Sequence, residues 1–216
     1  DQDICDFITW CRPHELSVNC RYFNPEFVAP RVHQGTLPNE AFLGALMAVC
    51  SYQQYDLLQN IIASRPADFA KFGVYSCRFY VEGQWVDVTT DTKLPCIRDQ
   101  YSGLFSAAYS KSTTNTELWI PLIEKAYAKA LGSYEAICKI KIHEALLHLT
   151  GGSVQQLVLH DETTGESKVE GSWKLFKGHL SSQTMLLAQP SQFAMQGSKG
   201  SKSTLEESKD GGMDDD

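Results

Sequence analysis

A glutamate stands at the predicted head of a helix in residues 33–46, which read HQGTLPNEAFLGAL. Asn39 follows Pro38 and is a favourable N-cap residue, and apolar residues then recur at helical spacing. Glu40 falls in the first turn, where the partial positive charge of a helix N-terminus stabilises a carboxylate. The same end of a helix lowers the pKa of a thiol, so the position suits a reactive anionic group.

Three other groups of residues could take part in chemistry, but their positions on helices explain them better. His143 and His148 in HEALLH are five residues apart. At about 100° per residue they point about 140° apart, so they are not expected to share a zinc ion. Cys50 lies on an apolar helix face and is expected to be a plain buried thiol. Lys125 and Lys129 are expected to be solvated charges on the polar face of their helix.

The elements that position Glu40 follow from hydrophobic periodicity. Residues 39–64 are expected to form one buried helix and then a second, amphipathic helix. Residues 74–81 and 85–90 are rich in β-branched and aromatic side chains, and the Glu82-Gly83-Gln84 stretch between them favours a hairpin. The sequence therefore predicts helices and a small antiparallel sheet.

The second half of the chain is predicted to be mainly helical. Residues 89–115 are expected to be mostly loop. A helix is predicted over 117–131, with Gly132 at its end. Further elements are predicted in three stretches: a helix in ICKIKIHEALLHLTGG, a strand in QQLVLHD and a helix in SWKLFKGHLSS.

Composition sets the broad class. The 216 residues are 43% hydrophobic, enough for a sizeable core, and no run is long and apolar enough to span a bilayer. A net charge of −7 argues against binding a phosphate backbone, so nucleic acid is not an expected partner. Seven cysteines, an odd number without a CxxC pair, favour free thiols in the cytoplasm and no structural zinc.

Three regions are expected along the chain. Residues 1–35 form an N-terminal arm packed on the core, with at most one helical turn near 14–18. Residues 36–190 form the folded subdomain. Residues 191–216 contain three lysines against six acidic residues and bury too little apolar surface to order themselves.

Five collinear segments resemble the calpain protease core. The resemblance covers its first, nucleophile-bearing subdomain, and the departures at the active site are similar to those of the degenerate calpain-like proteins of kinetoplastid protozoa. The segments are ITWCRPHEL (8–16), QGTLPNEAFLGAL (34–46), VEGQWVDVTTDTKLP (81–95), ELWIPLIEKAYAKALGSYEAI (117–137) and LTGG (149–152).

The resemblance implies roles for two residues of the opening stretch. The family's nucleophile segment reads QGxLGDCW, which places Gln34 at the oxyanion-hole position and Glu40 at the position of the catalytic cysteine. A carboxylate is a poor substitute, since attack on an amide would form an anhydride and the carboxylate would be the better leaving group. No intact catalytic residue is therefore expected.

The family's catalytic histidine and asparagine belong to a second subdomain, and neither motif occurs here. The Lys-Gly-His-Leu stretch ending at Leu180 echoes the histidine motif, but His179 is expected to lie inside a helix. The second subdomain is expected to lie outside this chain.

The resemblance also implies a calcium site that this chain has lost. Glu117 matches a family calcium ligand, whereas Arg31 stands where the family has an aspartate. Arg31 and Glu117 could form a charge pair in place of the bridging ion, or could be two solvated side chains. No cofactor and no bound metal are therefore expected.

The expected fold is α+β, a papain-like calpain-core subdomain that is mainly helical, with a central helix and a small antiparallel sheet.

The expected function is a catalytically inactive, calcium-independent pseudoprotease module that binds a protein or peptide, or the missing second subdomain. One alternative is part of an active calcium-dependent endopeptidase completed by residues outside this chain. Another is a hydrolase with Glu40 as general base, which would need a raised pKa and a water-filled cleft. The expected location is cytoplasmic, with association to cytoskeleton or membrane left open.

Overall fold

The computed structural model describes residues 7–22, 32–52, 57–65, 68–113, 116–157, 159, 168–181, 184–185 and 187–188. The chain divides into two compact units, residues 1–157 and residues 158–216. The elements of the first unit are β1 (Thr9–Cys11), α1 (Pro13–Leu16), β2 (Val32–His33), α2 (Glu40–Ser51), α3 (Leu57–Ile61), a π-helical turn (Asp68–Phe72), β3 (Val74–Val81), β4 (Gln84–Asp91), β5 (Leu94–Arg98), β6 (Phe105–Ala107), β7 (Lys111–Ser112), α4 (Trp119–Leu131), α5 (Tyr134–Cys138) and α6 (Ile142–Thr150). The second unit contributes α7 (Val169–Ser181).

The predicted hairpin is confirmed. Strands β3 and β4 pair in antiparallel register from Val74 opposite Asp91 to Val81 opposite Gln84. Glu82 and Gly83 make the two-residue turn with φ of 52° and 82°, the left-handed conformation that the favoured hairpin turns need. The glycine supplies this conformation without steric cost, so the turn is encoded locally.

Helices α2, α4 and α6 and the β3–β4 hairpin enclose the core of the first unit. Tyr127 of α4 lies at its centre, where its ring stacks on Phe42 of α2 at 4.6 Å between centroids and approaches Phe79 of β3 at 5.2 Å. The hydroxyl of Tyr127 lies 2.7 Å from Nδ1 of His148 on α6. One aromatic side chain thus joins the three helices and the hairpin.

The expectation that residues 89–115 are mostly loop is wrong. Strands β5 and β6 pair with each other, β1 pairs with β5, and β2 pairs with β7, all antiparallel. The strands are two to five residues long, too short for a clear period-two pattern. Leu94 and Cys96 of β5 are fully buried, so pairing and burial define these strands more than propensity does.

Two of the later predictions also need correction. The helix predicted over 137–152 is interrupted, because Ser133 caps α5 through Ala136 N–H and Glu144 accepts the N–H of Lys141 to begin α6. The helix expected from Glu117 begins at Trp119. No strand occurs at 155–157 or 159, the described part of QQLVLHD.

The α+β class is confirmed by helices and small antiparallel sheets in the described ranges. The sheets are a three-stranded β1-β5-β6 sheet and two separate pairs, β2-β7 and β3-β4. None of the helices described here has the length and apolar character needed to cross a bilayer.

Candidate functional site

Glu40 is the first residue of α2 and is exposed to solvent. The predicted N-cap position of Asn39 is confirmed, but its side chain does not cap the helix. The side chain turns instead to the carboxyl group of Glu124 on α4, with Nδ2 placed 2.5 Å from Oε1. The outer surface of the helix head therefore carries a carboxylate, and its inner surface is tied to a second carboxyl group.

A loop at residues 108–110 holds the segment that leads to the helix head. The N–H and Oγ1 of Thr36 both donate to the carbonyl of Ala108, at 3.2 and 3.1 Å. At Gly35 a Cβ would overlap the carbonyl oxygen of Tyr109 and lie 2.5 Å from that of Ala108. Only glycine fits this approach of two backbones, so the position of Gln34 and Glu40 depends on Gly35.

Gln34, like Glu40, is exposed to solvent. Its Nε2 donates to the carbonyl of Leu37 at 2.9 Å, within its own loop. Gln34 and Glu40 are both exposed to solvent, and their roles as an oxyanion-hole residue and a nucleophile position stay predictions from the calpain resemblance.

Glu124 forms the floor beneath this surface. The carboxyl group is 1% exposed and accepts the N–H of Ser110 at 3.1 Å on Oε2 and 3.3 Å on Oε1. Burial raises the pKa of Glu124 to about 7, although the bonds from Ser110 and Asn39 act in the opposite direction. A buried titratable group thus lies directly below the helix head.

The sequence reasoning missed Glu124, although a signal was present. Ile120 and Ala128 lie one turn away on either side, and Tyr127 lies three residues later, so Glu124 is surrounded by apolar positions on its helix. A glutamate that lies on the apolar face of an amphipathic helix is a candidate buried acid.

The thiols of the described residues are poor candidates for a nucleophile. Burial is the largest cause of a raised pKa at every one of them, which favours the neutral thiol over the reactive thiolate. Cys50 illustrates this, with a pKa raised to about 12 within the half-buried end of α2. The set consists of Cys11, Cys20, Cys50, Cys77, Cys96 and Cys138.

Cys138 is the thiol whose surroundings include the helix head. Burial raises its pKa, and the carboxylates of Glu135 and Glu40 add to that effect. Its Sγ donates to the carbonyl of Tyr134 at 3.5 Å. A carboxylate at position 40 therefore makes this thiol less reactive, the reverse of what a histidine cation would do.

The prediction of solvated lysines on α4 is wrong for Lys125, whereas Lys129 is exposed to solvent as predicted. Lys125 donates to the carbonyl of Lys93 at 2.6 Å, forms an ion pair with Asp91 and lies 5.1 Å from the ring centroid of Trp10. Lys129 donates to the carbonyl of Thr89 at 2.7 Å. Both lysines bind the strand edge next to α4, because their long side chains reach backbone carbonyls there.

The residues around Glu117 do not fit a calcium ion. Glu117 accepts the hydroxyl of Ser112 at 3.1 Å beside a cavity of about 10 Å³ that Lys111 also lines. A lysine cation opposes calcium, which needs six or more oxygen ligands. Across the described ranges, no three side chains of His, Cys, Asp or Glu come together as a metal group. The pair of Glu117 with Arg31 stays a prediction, because Arg31 lies outside the described residues.

The second unit contains His179. As expected, the residue lies inside a helix, α7. The same helix carries Trp173 and Phe176, whose rings stack at 5.8 Å between centroids.

Comparisons with known proteins agree with the resemblance. Residues 1–208 match the model of the calpain family cysteine protease, Peptidase_C2. Calpain-10 of Macaca fascicularis is 36% identical over 152 residues, which cover 69% of this chain and 22% of that protein. Calpain-A of Drosophila melanogaster is 36% identical over 145 residues, covering 67% of this chain and 17% of that protein. Calpain-12 of Homo sapiens is 30% identical over 166 residues, covering 76% and 22%. The chain thus spans about a fifth of the length of these curated relatives.

Proposed function

Because this chain belongs to the calpain family of cysteine proteases, we propose that it is a catalytically inactive, calcium-independent pseudoprotease module that binds a protein or peptide. The observation that carries the proposal is the exposed carboxylate of Glu40 as the first residue of α2. A carboxylate at this position occupies the favourable end of the helix dipole but does not form a stable acyl intermediate.

The state of the thiols supports an inactive module. A cysteine protease needs a thiolate, and burial favours the protonated form of each described cysteine. Cys138, near the helix head, is further disfavoured as a thiolate by Glu40. The six cysteines within the described residues are free thiols, which suits a reducing compartment, so we place the module in the cytoplasm.

The surface of the helix head supports binding. The Gln34-to-Glu40 segment is fixed by backbone contacts to residues 108–110, so its polar groups are preorganised for a ligand. Gln34 offers amide atoms and Glu40 a carboxylate, which suit the backbone and basic groups of an extended peptide. A module derived from a protease would in this way still bind a peptide at the substrate position without cleaving it.

A cleavage and binding assay tests the proposal. The complete protein that carries this chain is mixed with fluorescein-labelled casein, an unstructured polypeptide, with calcium and with chelator. The wild type is expected to retain labelled casein without releasing fragments. Glu40→Cys introduces a thiol at the helix head and is expected to cleave in both conditions, whereas the isosteric control Glu40→Gln is not.

Two outcomes contradict the proposal. Fragment release by the wild type, with or without calcium, overturns the inactive reading and favours a functional endopeptidase. A wild type that neither cleaves nor retains casein overturns the binding role at this surface.

A further inference from the structure

We propose that Glu124 is an uncharged carboxylic acid in the resting protein, that it donates its proton to Asn39, and that this bond positions the head of α2. The inference concerns the floor of the site and goes beyond the surface that the proposed function uses. It rests on three features of the described residues. No cation faces Glu124, the distance between Glu124 and Asn39 is short, and nearby buried polar atoms lack hydrogen-bond partners.

No cation faces Glu124 in the described part of the chain. Its neighbours are Asn39, the N-cap of α2, and on α5 Tyr134 and Cys138, whose pKa values an ionised Glu124 would raise. None of the ion pairs between described residues includes Glu124.

The cation next in sequence to the cluster is Lys111, which follows Ser110. It lines the separate small cavity beside Glu117. A carboxylate buried without a cation is costly, and such a group takes up a proton instead.

The length of the bond to Asn39 fits a proton donated by the acid. The two side chains approach to 2.5 Å, which is short for an N–H···O bond but normal for an O–H···O bond. The oxygen and nitrogen of an amide have nearly the same shape, so exchanging them places Oδ1 of Asn39 opposite Oε1 of Glu124. The protonated acid then donates to Oδ1.

The unpaired polar atoms of the cluster support this assignment. Among the described residues, Oδ1 of Asn39 and the hydroxyls of Ser110 and Tyr134 are buried without a hydrogen-bond partner. A proton on Glu124 gives Oδ1 its missing donor. The pKa of Glu124, raised by burial to about 7, is consistent with a group that holds its proton near neutrality.

The bond has a consequence for the helix head. Asn39 directly precedes Glu40, and the N–H of Asn39 also donates to the carbonyl of Leu37 at 3.0 Å. Ionisation of Glu124 would remove the proton from this bond and place a second negative charge beneath Glu40. We expect residues 37–40 to shift as Glu124 ionises, and with them the surface that binds casein. This last step rests on the proposed function, whereas the protonation does not.

A carboxyl titration by nuclear magnetic resonance tests the inference. The full chain is labelled with ¹³C at the glutamate side-chain carboxyls, and the signals are followed with pH. One signal, absent in Glu124→Gln, is expected to titrate near neutral pH, well above the reference value of about 4.3 for a glutamate side chain. Glu135→Gln, a change at an exposed glutamate of α5, is the matched control and should leave the neutral titration in place.

The positioning role has its own readout. The amide signals of Leu37 and Glu40 are expected to move with the same midpoint as the Glu124 carboxyl in the wild type and to lose that titration in Glu124→Gln. A Glu124 signal that titrates with the exposed glutamates overturns the protonated acid, even if Glu124→Gln fails to fold, because the wild-type spectrum decides it. Amide signals that stay fixed through a neutral titration overturn the positioning role.

Casein binding separates this inference from the proposed function. If the carboxyl and the amides titrate together and casein binding follows them, both are supported. If casein is not bound at any pH while the titration is observed, the proposed function fails and the positioning by Glu124 stands.

Discussion

Glu40 and Glu124 lie on opposite sides of the same helix head, one on its exposed surface and the other on its buried floor. The side chain of Glu40 is exposed to solvent, so a substitution at this position is expected to leave neighbouring side chains in place. Glu124 contacts Asn39 through Oε1 and accepts the N–H of Ser110 on both carboxyl oxygens. A substitution of Glu124 therefore disturbs α4, the N-cap of α2 and the loop at residues 108–110. Under the proposed function, the nucleophile is lost on the exposed side of the helix head, while the buried contacts that position the helix head are kept.

The largest expected effect comes from a substitution that separates the head of α2 from the loop at residues 108–110. Gly35→Ala would force Cβ against the carbonyls of Ala108 and Tyr109, neither of which can move alone. We expect a loss of about 3 kcal/mol or more in the free energy of unfolding, measured by denaturant titration.

A matched control for this change is Gly171→Ala in α7, where a Cβ meets nothing within 4 Å. That variant should be unchanged or gain up to about 1 kcal/mol, as alanine favours a helix interior. Equal losses in both variants would contradict a special role for Gly35.

The pH dependence of stability sharpens the contrast between the two glutamates. The folded pKa of Glu124, about 7, lies above its usual value of 4.5, so the folded state binds the proton more tightly. Its contribution is fully present below pH 4.5 and is lost as the pH rises to about 7. The loss is on the order of 3 kcal/mol.

Thermal or denaturant unfolding across that range checks this expectation. The wild type should show the decline, and Glu124→Gln, which has no proton to lose, should remove it. Glu40→Gln is the control and should keep it. A wild-type stability that rises through this range, with no difference from Glu124→Gln, would contradict the raised pKa.

Substitutions of Asn39 distinguish its role as the N-cap of α2 from its hydrogen bond to the buried Glu124. Asn39→Ala removes the partner of a buried carboxyl and should cost about 1 to 3 kcal/mol. Asn39→Ser restores a strong N-cap hydroxyl but does not reach Glu124, so it should lose nearly as much. Unfolding of the two variants gives the answer, and full recovery by serine would show that capping, rather than the contact with Glu124, is what matters.

The smallest effect is expected at the exposed surface. Glu40→Ala loses only a favourable charge at the helix N-terminus, about 0.3 to 1 kcal/mol, and less at high salt. Denaturant unfolding at low and high salt measures it. A loss as large as that of Gly35→Ala would mean that Glu40 supports the fold rather than the surface.

The sequence by itself determined the parts of the molecule that depend on near neighbours. The β3–β4 hairpin follows from its alternating side chains and the turn at Glu82 and Gly83, and α2 begins at Glu40 as its N-cap predicts. The five collinear segments, above all the one at residues 117–137, were also sufficient to identify the family. These features are local because turn geometry and helix periodicity are set within a few residues.

Only the tertiary structure decided what those residues contact. The bond between Asn39 and Glu124 joins positions 85 apart in the chain, and that between Thr36 and Ala108 joins positions 72 apart. No local sequence pattern indicates such a contact. The sequence therefore predicted only an N-cap at Asn39 and a solvated side chain at Lys125. Protonation of a carboxyl group depends on the water and charges around it, and the folded chain alone fixes those surroundings.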